Sequence, residues 1–438
     1  MISPETFARY AAMRVPRYTS YPTAPNFSAD FGQTEYRRWL RQLPGDEPVS
    51  LYLHIPFCRE MCWYCGCHTT VTRRQAPVSR YVSTLIREIG LVASELGSRL
   101  RTGHVHWGGG SPTLLTPDDV KLTHGALKQG FSLDPLAENA IEVDPRTLTA
   151  ELASAFGCAG VNRASVGAQT FDSKVQAAIN RVQSFGATAA AVRLLRDRGI
   201  PAINFDLIYG LPFQTVQSCR DTVEQALRLQ PNRLAVFGYA HVPSFKPHQR
   251  KIDETALPGA AERHEQAQAI ADALTAAGYR QIGLDHFALP GDSLSSAAED
   301  GTLHRNFQGY TSDPCKVLLG LGASAIGRLP HGFVQNATRI PDYERRVAGG
   351  ELATARGCRI GDEDQRRGAI IEHLMCNYRA DVGALVPDGI ADLERDGLVR
   401  RSGSMIEVAS DARPLVRVVA AAFDQYESRP RRQHSPAL

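Results

Sequence analysis

Residues 50–67 read SLYLHIPFCREMCWYCGC, and the fold is decided here. Ser50–Ile55 is a short run of β-forming residues, and Pro56 ends it because proline has no N–H for the next ladder bond. Cys58, Cys62, Cys65 and Cys67 therefore sit on a loop at the C-terminal end of a strand. Three thiolates on one short loop can wrap a single metal group. The spacing of three and then two residues differs from paired zinc knuckles. It also differs from common ferredoxin runs. Two readings stay open from spacing alone. One is a zinc or fully ligated iron–sulfur staple; the other is a [4Fe–4S] cluster with three protein ligands and one iron left for a substrate. Spacing does not decide whether Cys67 is a further ligand or a thiol beside the site.

Outward from this loop, strands and helices alternate. Ser79–Leu96 carries Val82, Leu85, Ile86, Ile89, Val92 and Leu96 at helical spacing. Strands are expected at His104–Trp107, Ala140–Val143, Arg163–Val166, Ile203–Ile208 and Leu234–Phe237, with helices at Ala187–Arg198, Ser218–Leu229 and Ala261–Ala277. This alternation implies a parallel sheet, either doubly wound or barrel-like. In both, functional groups gather at the C-terminal ends of the strands.

Three divisions of the chain follow. Residues 1–47 read as an arm, with Pro16 and Pro22 favouring extended backbone. Residues 48–354 carry the βα alternation. Residues 355–438 change to helix (Asp364–Asn377), helix (Val382–Asp396), hairpin (Leu398–Val408) and helix (Pro414–Tyr426), an order like a small winged-helix unit. Pro290–Gly301 reads as a loop, and Arg429–Leu438 as a frayed tail.

Composition narrows the class. The 438 residues include 43% hydrophobic and 22% charged residues, with nine cysteines. That is ordinary for a globular protein. A net charge of +3 from 49 basic and 46 acidic residues is close to neutral, so no nucleic acid or membrane surface is expected as partner. The winged-helix-like order and Arg431-Arg432 are the features that argue for nucleic acid, and the charge opposes them. No signal core or long apolar run is visible, so a cytoplasmic protein with reduced thiols is expected. The five scattered cysteines read as buried core thiols.

The motif Cys-x3-Cys-x2-Cys after a first strand resembles that of radical S-adenosylmethionine (SAM) enzymes. The added Cys67, PRYTSYPTA (16–24), HWGGGSPT (106–113), IEVDPR (141–146), NFDLIYGLP (204–212), HRNFQGYT (304–311) and GLGASAI (320–326) resemble the oxygen-independent coproporphyrinogen III oxidases. The resemblance spans nearly the whole chain. It implies an α/β fold, a partial (β/α)6 radical-SAM barrel with an N-terminal arm and a C-terminal, mainly helical, winged-helix-like domain. It also implies a [4Fe–4S] cluster on Cys58, Cys62 and Cys65, with Cys67 near the site, and two SAM molecules. Tyr52, Gly109, Glu142 and Ile326 match contacts to the first SAM. Tyr64, Gly110, Ser111, Gln169, Arg181, Asp206 and Ala240 match contacts to the second. Tyr64 and Ser111 stand where relatives can carry phenylalanine and threonine. Taken alone, the glycine run is a tight turn, Glu142 and Asp206 are strand ends or caps, and Ala240 and Ile326 are packing.

The implied substrate is coproporphyrinogen III, with four propionates; two become vinyl groups, giving protoporphyrinogen IX in heme biosynthesis. Arginine forks suit carboxylates. Arg17 and Arg305 are the candidates, and Arg250 reads as an exposed arginine. A low-potential electron donor, an unidentified acceptor and a monomer are expected. The alternative within the superfamily is a heme-binding chaperone without oxidase activity, whose full-length members lack the fourth cysteine and the arm. Val317 departs from relatives that carry aspartate there, a difference expected to act on loop packing or substrate entry.

Overall fold

Side-chain alternation along six parallel strands sorts apolar groups to one face and polar groups to the other. The strands are β1 (Val49–Ile55), β2 (Arg101–Gly109), β3 (Ser132–Val143), β4 (Arg163–Gln169), β5 (Ala202–Tyr209) and β6 (Arg233–Gly238). They are hydrogen-bonded in sequence order, and Val317–Leu321 joins β1 on its other side in parallel. The computed structural model describes residues 2–426 and Ala437.

Leu51, Leu53 and Ile55 on β1, Trp107 on β2, Ile141 on β3 and Phe205 on β5 are buried outward. They share one core with Val82, Leu85 and Ile89 of the helix Gln75–Ser94. Each such side chain contributes about 1.5–3 kcal/mol on burial. The concave face carries Ser50, His104, Glu138, Glu142, Arg163, Ser165, Asn204, Asp206 and Arg233. Helices Gln75–Ser94, Pro117–Gly130, Ala150–Cys158, Phe185–Asp197 and Val216–Leu227 form the crossovers.

The sheet has twelve strands and stays open. Antiparallel strands extend both edges: Ile326–Leu329, Gly332–Asn336 and Thr354–Arg359 on one side, His286–Ala288 and Arg280–Ile282 on the other. The strand Thr354–Arg359 carries the sheet past residue 354. Val317 is fully buried and paired in register with Val49, so it acts in strand packing.

The floor, at the N-terminal ends of the strands, is closed by ions. Arg163 reaches Glu138 at 2.7 Å, Asn204 at 2.9 Å and Asp292 at 3.1 Å. Arg233 donates to Asp292 at 2.5 Å and to Ser293 at 2.8 Å. Ser50 donates to Asp313 alongside.

Several expectations need correction. The arm holds two helices, Pro4–Ala11 and Gln33–Arg41. Ser3 caps the first, accepting the Thr6 N–H, with proline at the first position. Residues 10–21 pack into one core with residues of 370–423. Pro290–Gly301 contains the helix Ser293–Glu299, capped by Asp292. The expected helix over Val382–Asp396 shortens to Gly389–Arg395, since Gly383 has φ +54° and Pro387 precedes it. Helix Pro414–Tyr426 is the 3-10 turn Ser410–Leu415 followed by Val416–Ala421. The hairpin forms as expected around Gly403, whose φ is +61°.

Of the scattered cysteines, Cys219 and Cys376 are buried, Cys315 and Cys358 are partly buried, and Cys158 is exposed. Cys158 is the last residue of the helix Ala150–Cys158, on its solvent side. The expected frayed tail lies outside the described residues except for Ala437, which is buried and donates its N–H to Met13 at 2.8 Å. No helix among the described residues is long and apolar enough to cross a membrane.

Candidate active site and metal centre

The C-terminal ends of β1 to β6 form the mouth, and the cysteine loop leaves from the first of them. The loop is held from below and from the side. Trp63 N–H donates to the Ile179 carbonyl at 3.0 Å, and Asn180 Nδ2 to the Met61 carbonyl at 2.9 Å. The buried Gln249 amide donates to the carbonyls of Tyr64 (3.1 Å) and Ala240 (3.2 Å), tying the loop to the end of β6. His248 Nε2 lies 2.7 Å from the Cys65 carbonyl, and Lys246 Nζ donates to that of Cys67 at 3.2 Å.

Each of the three spaced thiols has its own donor. Thr69 Oγ1 donates to Cys58 Sγ at 3.2 Å, Arg181 Nη1 faces Cys62 Sγ at 3.6 Å, and Cys67 N–H donates to Cys65 Sγ at 3.3 Å. Arg146 adds a cation 4.0 Å from Cys62. The Cys67 thiol, and after it the Cys67 N–H, holds Cys65 down to about 7 against its burial, and burial pushes Cys58 up to about 11. Coordination to a metal would offset this burial penalty, because a metal binds the thiolate. Donors aimed at sulfur suit an anionic, sulfur-ligated cluster. Among the described residues no three His, Cys, Asp or Glu side chains converge on a single-ion site. A multi-iron cluster asks each thiolate to reach a different iron. Cys67 instead lines the barrel cavity of about 260 Å³, with Glu142 and Asp206.

Glu142 is fixed by two neighbours: Gly109 N–H donates to Oε2 at 3.0 Å, and His106 Nε2 lies 3.2 Å from Oε1. The glycine run permits this closeness. A Cβ at Gly108 would stand 2.6 Å from Glu142 Oε1, and one at Gly109, where φ is +117°, would stand 2.8 Å from the His54 ring. Tyr52 stacks on His106 with centroids 5.8 Å apart and bonds His54 Nδ1 at 3.0 Å. Burial pushes His54 down to about 4, so the ring is neutral near pH 7.

Arg181 is buried and bridges Cys62, the Gly167 carbonyl (2.8 Å) and Asp144 (3.5 Å), while its Nε has no partner. Gln169 ends β4 at φ +64°, uncommon for a residue with a side chain. Asp206 accepts from Ser165 at 3.0 Å; burial and then Glu142 push its carboxyl up to about 6. Ser111 bonds Thr113 at 2.7 Å, and Gly110 N–H donates to the Ile55 carbonyl at 2.9 Å. Ile326 stands on the neighbouring antiparallel strand, where a Cβ on Gly320 would come within 2.6 Å of its carbonyl. Arg17 and Arg305, far apart in sequence, line one cavity that also includes Ala240. Arg250 is exposed.

Sequence reading passed over His106, Arg146, Gln249 and Glu88. Glu88 is 1% exposed on the helix Gln75–Ser94. It accepts from Gly322 N–H (2.6 Å), Asn336 (2.6 Å) and Tyr343 (2.8 Å), holding the glycine turn before Ile326. Its signal was an acidic residue on an apolar helical stripe.

Residues 52–226 match the model of the radical SAM superfamily. An oxygen-independent coproporphyrinogen III oxidase of Bradyrhizobium diazoefficiens is 53% identical, over 98% of both chains. The protein of the same name from Cereibacter sphaeroides is 41% identical over 95% of both. The solved coproporphyrinogen III oxidase HemN of Escherichia coli, titled a radical SAM enzyme, superposes with a TM-score of 0.88 at 36% identity, covering 95% of this chain and all of that one. With the cysteine loop and its barrel mouth in the same frame, the chain belongs to the oxygen-independent coproporphyrinogen III oxidase family of the radical SAM superfamily.

Proposed function

We propose that the chain converts coproporphyrinogen III to protoporphyrinogen IX without oxygen. Two propionates become vinyl groups, and each loses a hydrogen atom from its β-carbon, CO2 and one electron. When bound, a [4Fe–4S] cluster and SAM supply the one-electron reduction and the carbon radical that removes this hydrogen. Cys58, Cys62 and Cys65 would hold the cluster as its three protein ligands. Cys67 is a near-site thiol facing the barrel cavity.

Around the first SAM stand Tyr52, Gly109, Glu142 and Ile326. Glu142 is suited to this: its two oxygens are already oriented by Gly109 and His106. Their remaining lone pairs can accept from an ammonium or ribose hydroxyls. Around the second stand Tyr64, Gly110, Ser111, Gln169, Arg181, Asp206 and Ala240. Arg181 places a fixed positive charge 3.6 Å from the Cys62 sulfur. Arg17 and Arg305 receive propionates. The chain's own work is to position these parts and exclude water and oxygen. A low-potential donor supplies electrons, an unidentified acceptor takes them, and the enzyme acts as a cytoplasmic monomer.

The supporting observation is the three-cysteine loop beside Glu142, on a chain with full-length relatives of this name. Cys58→Ala, Cys62→Ala and Cys65→Ala should each abolish the visible absorbance of the anaerobically reconstituted cluster and all product. A normal spectrum in any one of them would remove that residue from the ligand set.

A further inference from the structure

The barrel interior accommodates the cysteine loop, Glu142 and Asp206. The cavity of about 310 Å³ that Arg17 and Arg305 line is a separate space, against the open edge of the sheet. Among the described residues five arginines line this space, Arg17, Arg263, Arg305, Arg413 and Arg417, with Asp285 among them. They come from the arm, the helix Ala260–Ala276, the strand His304–Asn306 and the C-terminal unit. Folding has thus gathered five cations from distant parts of the chain around one carboxylate, Asp285, an excess of like charge that further anions would offset.

Two of the five are visibly incomplete. Arg305 is 8% exposed, lies 4.4 Å over the Tyr310 ring, and has no hydrogen-bond partner at Nε or Nη1. Arg263 lacks one at its buried Nε and lies against Gly210, where a Cβ would come within 3.2 Å of its guanidinium. Buried polar groups in folded proteins are nearly always paired, so an orphaned fork marks the place of a missing acceptor. A planar guanidinium fork matches a carboxylate. Arg17 donates to the Gly238 carbonyl at 3.3 Å, which aims the arm at the same space. Val236, Phe237, Leu284 and Phe287 supply apolar wall between the charges.

We infer that this cavity is a polycarboxylate clamp. Arg305 and Arg263 are its two anchoring forks, and they hold the propionates that are not reacting. Phe237 belongs to the walls of both this cavity and the barrel cavity, so one macrocycle can extend from clamp to mouth. The inference rests on the substrate reading above and adds Arg263 and a division of labour: the mouth takes the propionate being oxidised and the clamp grips the others.

The test is fluorescence titration of the full chain with coproporphyrin III, the stable oxidised form with the same four propionates, and with its tetramethyl ester. Neither needs the cluster. The wild-type chain should bind the acid at least about thirty-fold more tightly than the ester. Arg305→Met and Arg263→Met should each weaken acid binding by at least about thirty-fold. Arg305→Lys, which keeps the charge and loses the fork, should weaken it about ten-fold. Folded Arg305→Met and Arg263→Met chains that bind the acid like wild type, or an ester that binds as well as the acid, would overturn the clamp. If wild type still forms protoporphyrinogen IX in that case, the oxidase reading stands and only the clamp fails.

Discussion

Arginines gather on two sides of the barrel, and Arg305 of the outer cavity is as hidden as Arg163 and Arg233 of the floor. At the floor, Arg163 and Arg233 are 8% and 6% exposed, and each meets Glu138 and Asp292. In the outer cavity, Arg305 is 8% exposed, and three of the guanidinium nitrogens of Arg305 and Arg263 have no partner. Burial is therefore no guide to role. Completion is: a saturated arginine is a structural tie, and an incomplete one waits for a ligand. The same contrast separates Glu138, held between cations, from Glu142, whose bonds to Gly109 and His106 leave room for an outside donor.

The comparison breaks most sharply at Asp292. Asp292→Ala leaves Arg163 and Arg233 without their shared carboxylate and should cost about 3–5 kcal/mol in urea unfolding. Affinity for coproporphyrin III should not change. A loss under about 1 kcal/mol would mean the floor is not the tie described.

Glu138 gives the next effect. Burial raises its pKa, but Arg233 and Arg163 outweigh this and hold it at about 2 against an ordinary 4.5. A depressed carboxyl contributes stability that is full above the unfolded value and is lost as pH falls from 4.5 through about 2. The contribution is on the order of 3 kcal/mol. Stability measured against pH should fall less steeply in this window for Glu138→Gln than for wild type, whereas Arg305→Met should keep the wild-type slope. The smallest effect belongs to the exposed pair Arg228–Glu224, 2.7 Å apart on one helix. Arg228→Ala should change stability by no more than about 0.5 kcal/mol.

Much of the site was legible because it is local in sequence. The strand, the proline stop and the cysteine spacing occupy eighteen consecutive residues. The resemblance carried by IEVDPR and NFDLIYGLP named Glu142 and Asp206, and both stand on the concave face. What escaped is made by distance in the chain. Asp292 looked like part of a polar loop, since the arginines that it joins lie 129 and 59 residues away. Arg263 sits on an ordinary helix, and its membership in a cationic cavity depends on how the arm and C-terminal unit pack. The helices at 4–11 and 33–41 are short, and their amphipathic faces gain meaning only against residues of distant elements. Glu88 was the detectable miss, a carboxylate placed among Leu85, Ile89 and Val92.

The most direct measurement is an anaerobic time course of the reconstituted enzyme with SAM, reductant and coproporphyrinogen III, following protoporphyrinogen IX and 5′-deoxyadenosine together. The expected result is that both accumulate, with two equivalents of 5′-deoxyadenosine for each protoporphyrinogen IX. An intact cluster that forms neither product would contradict the assignment.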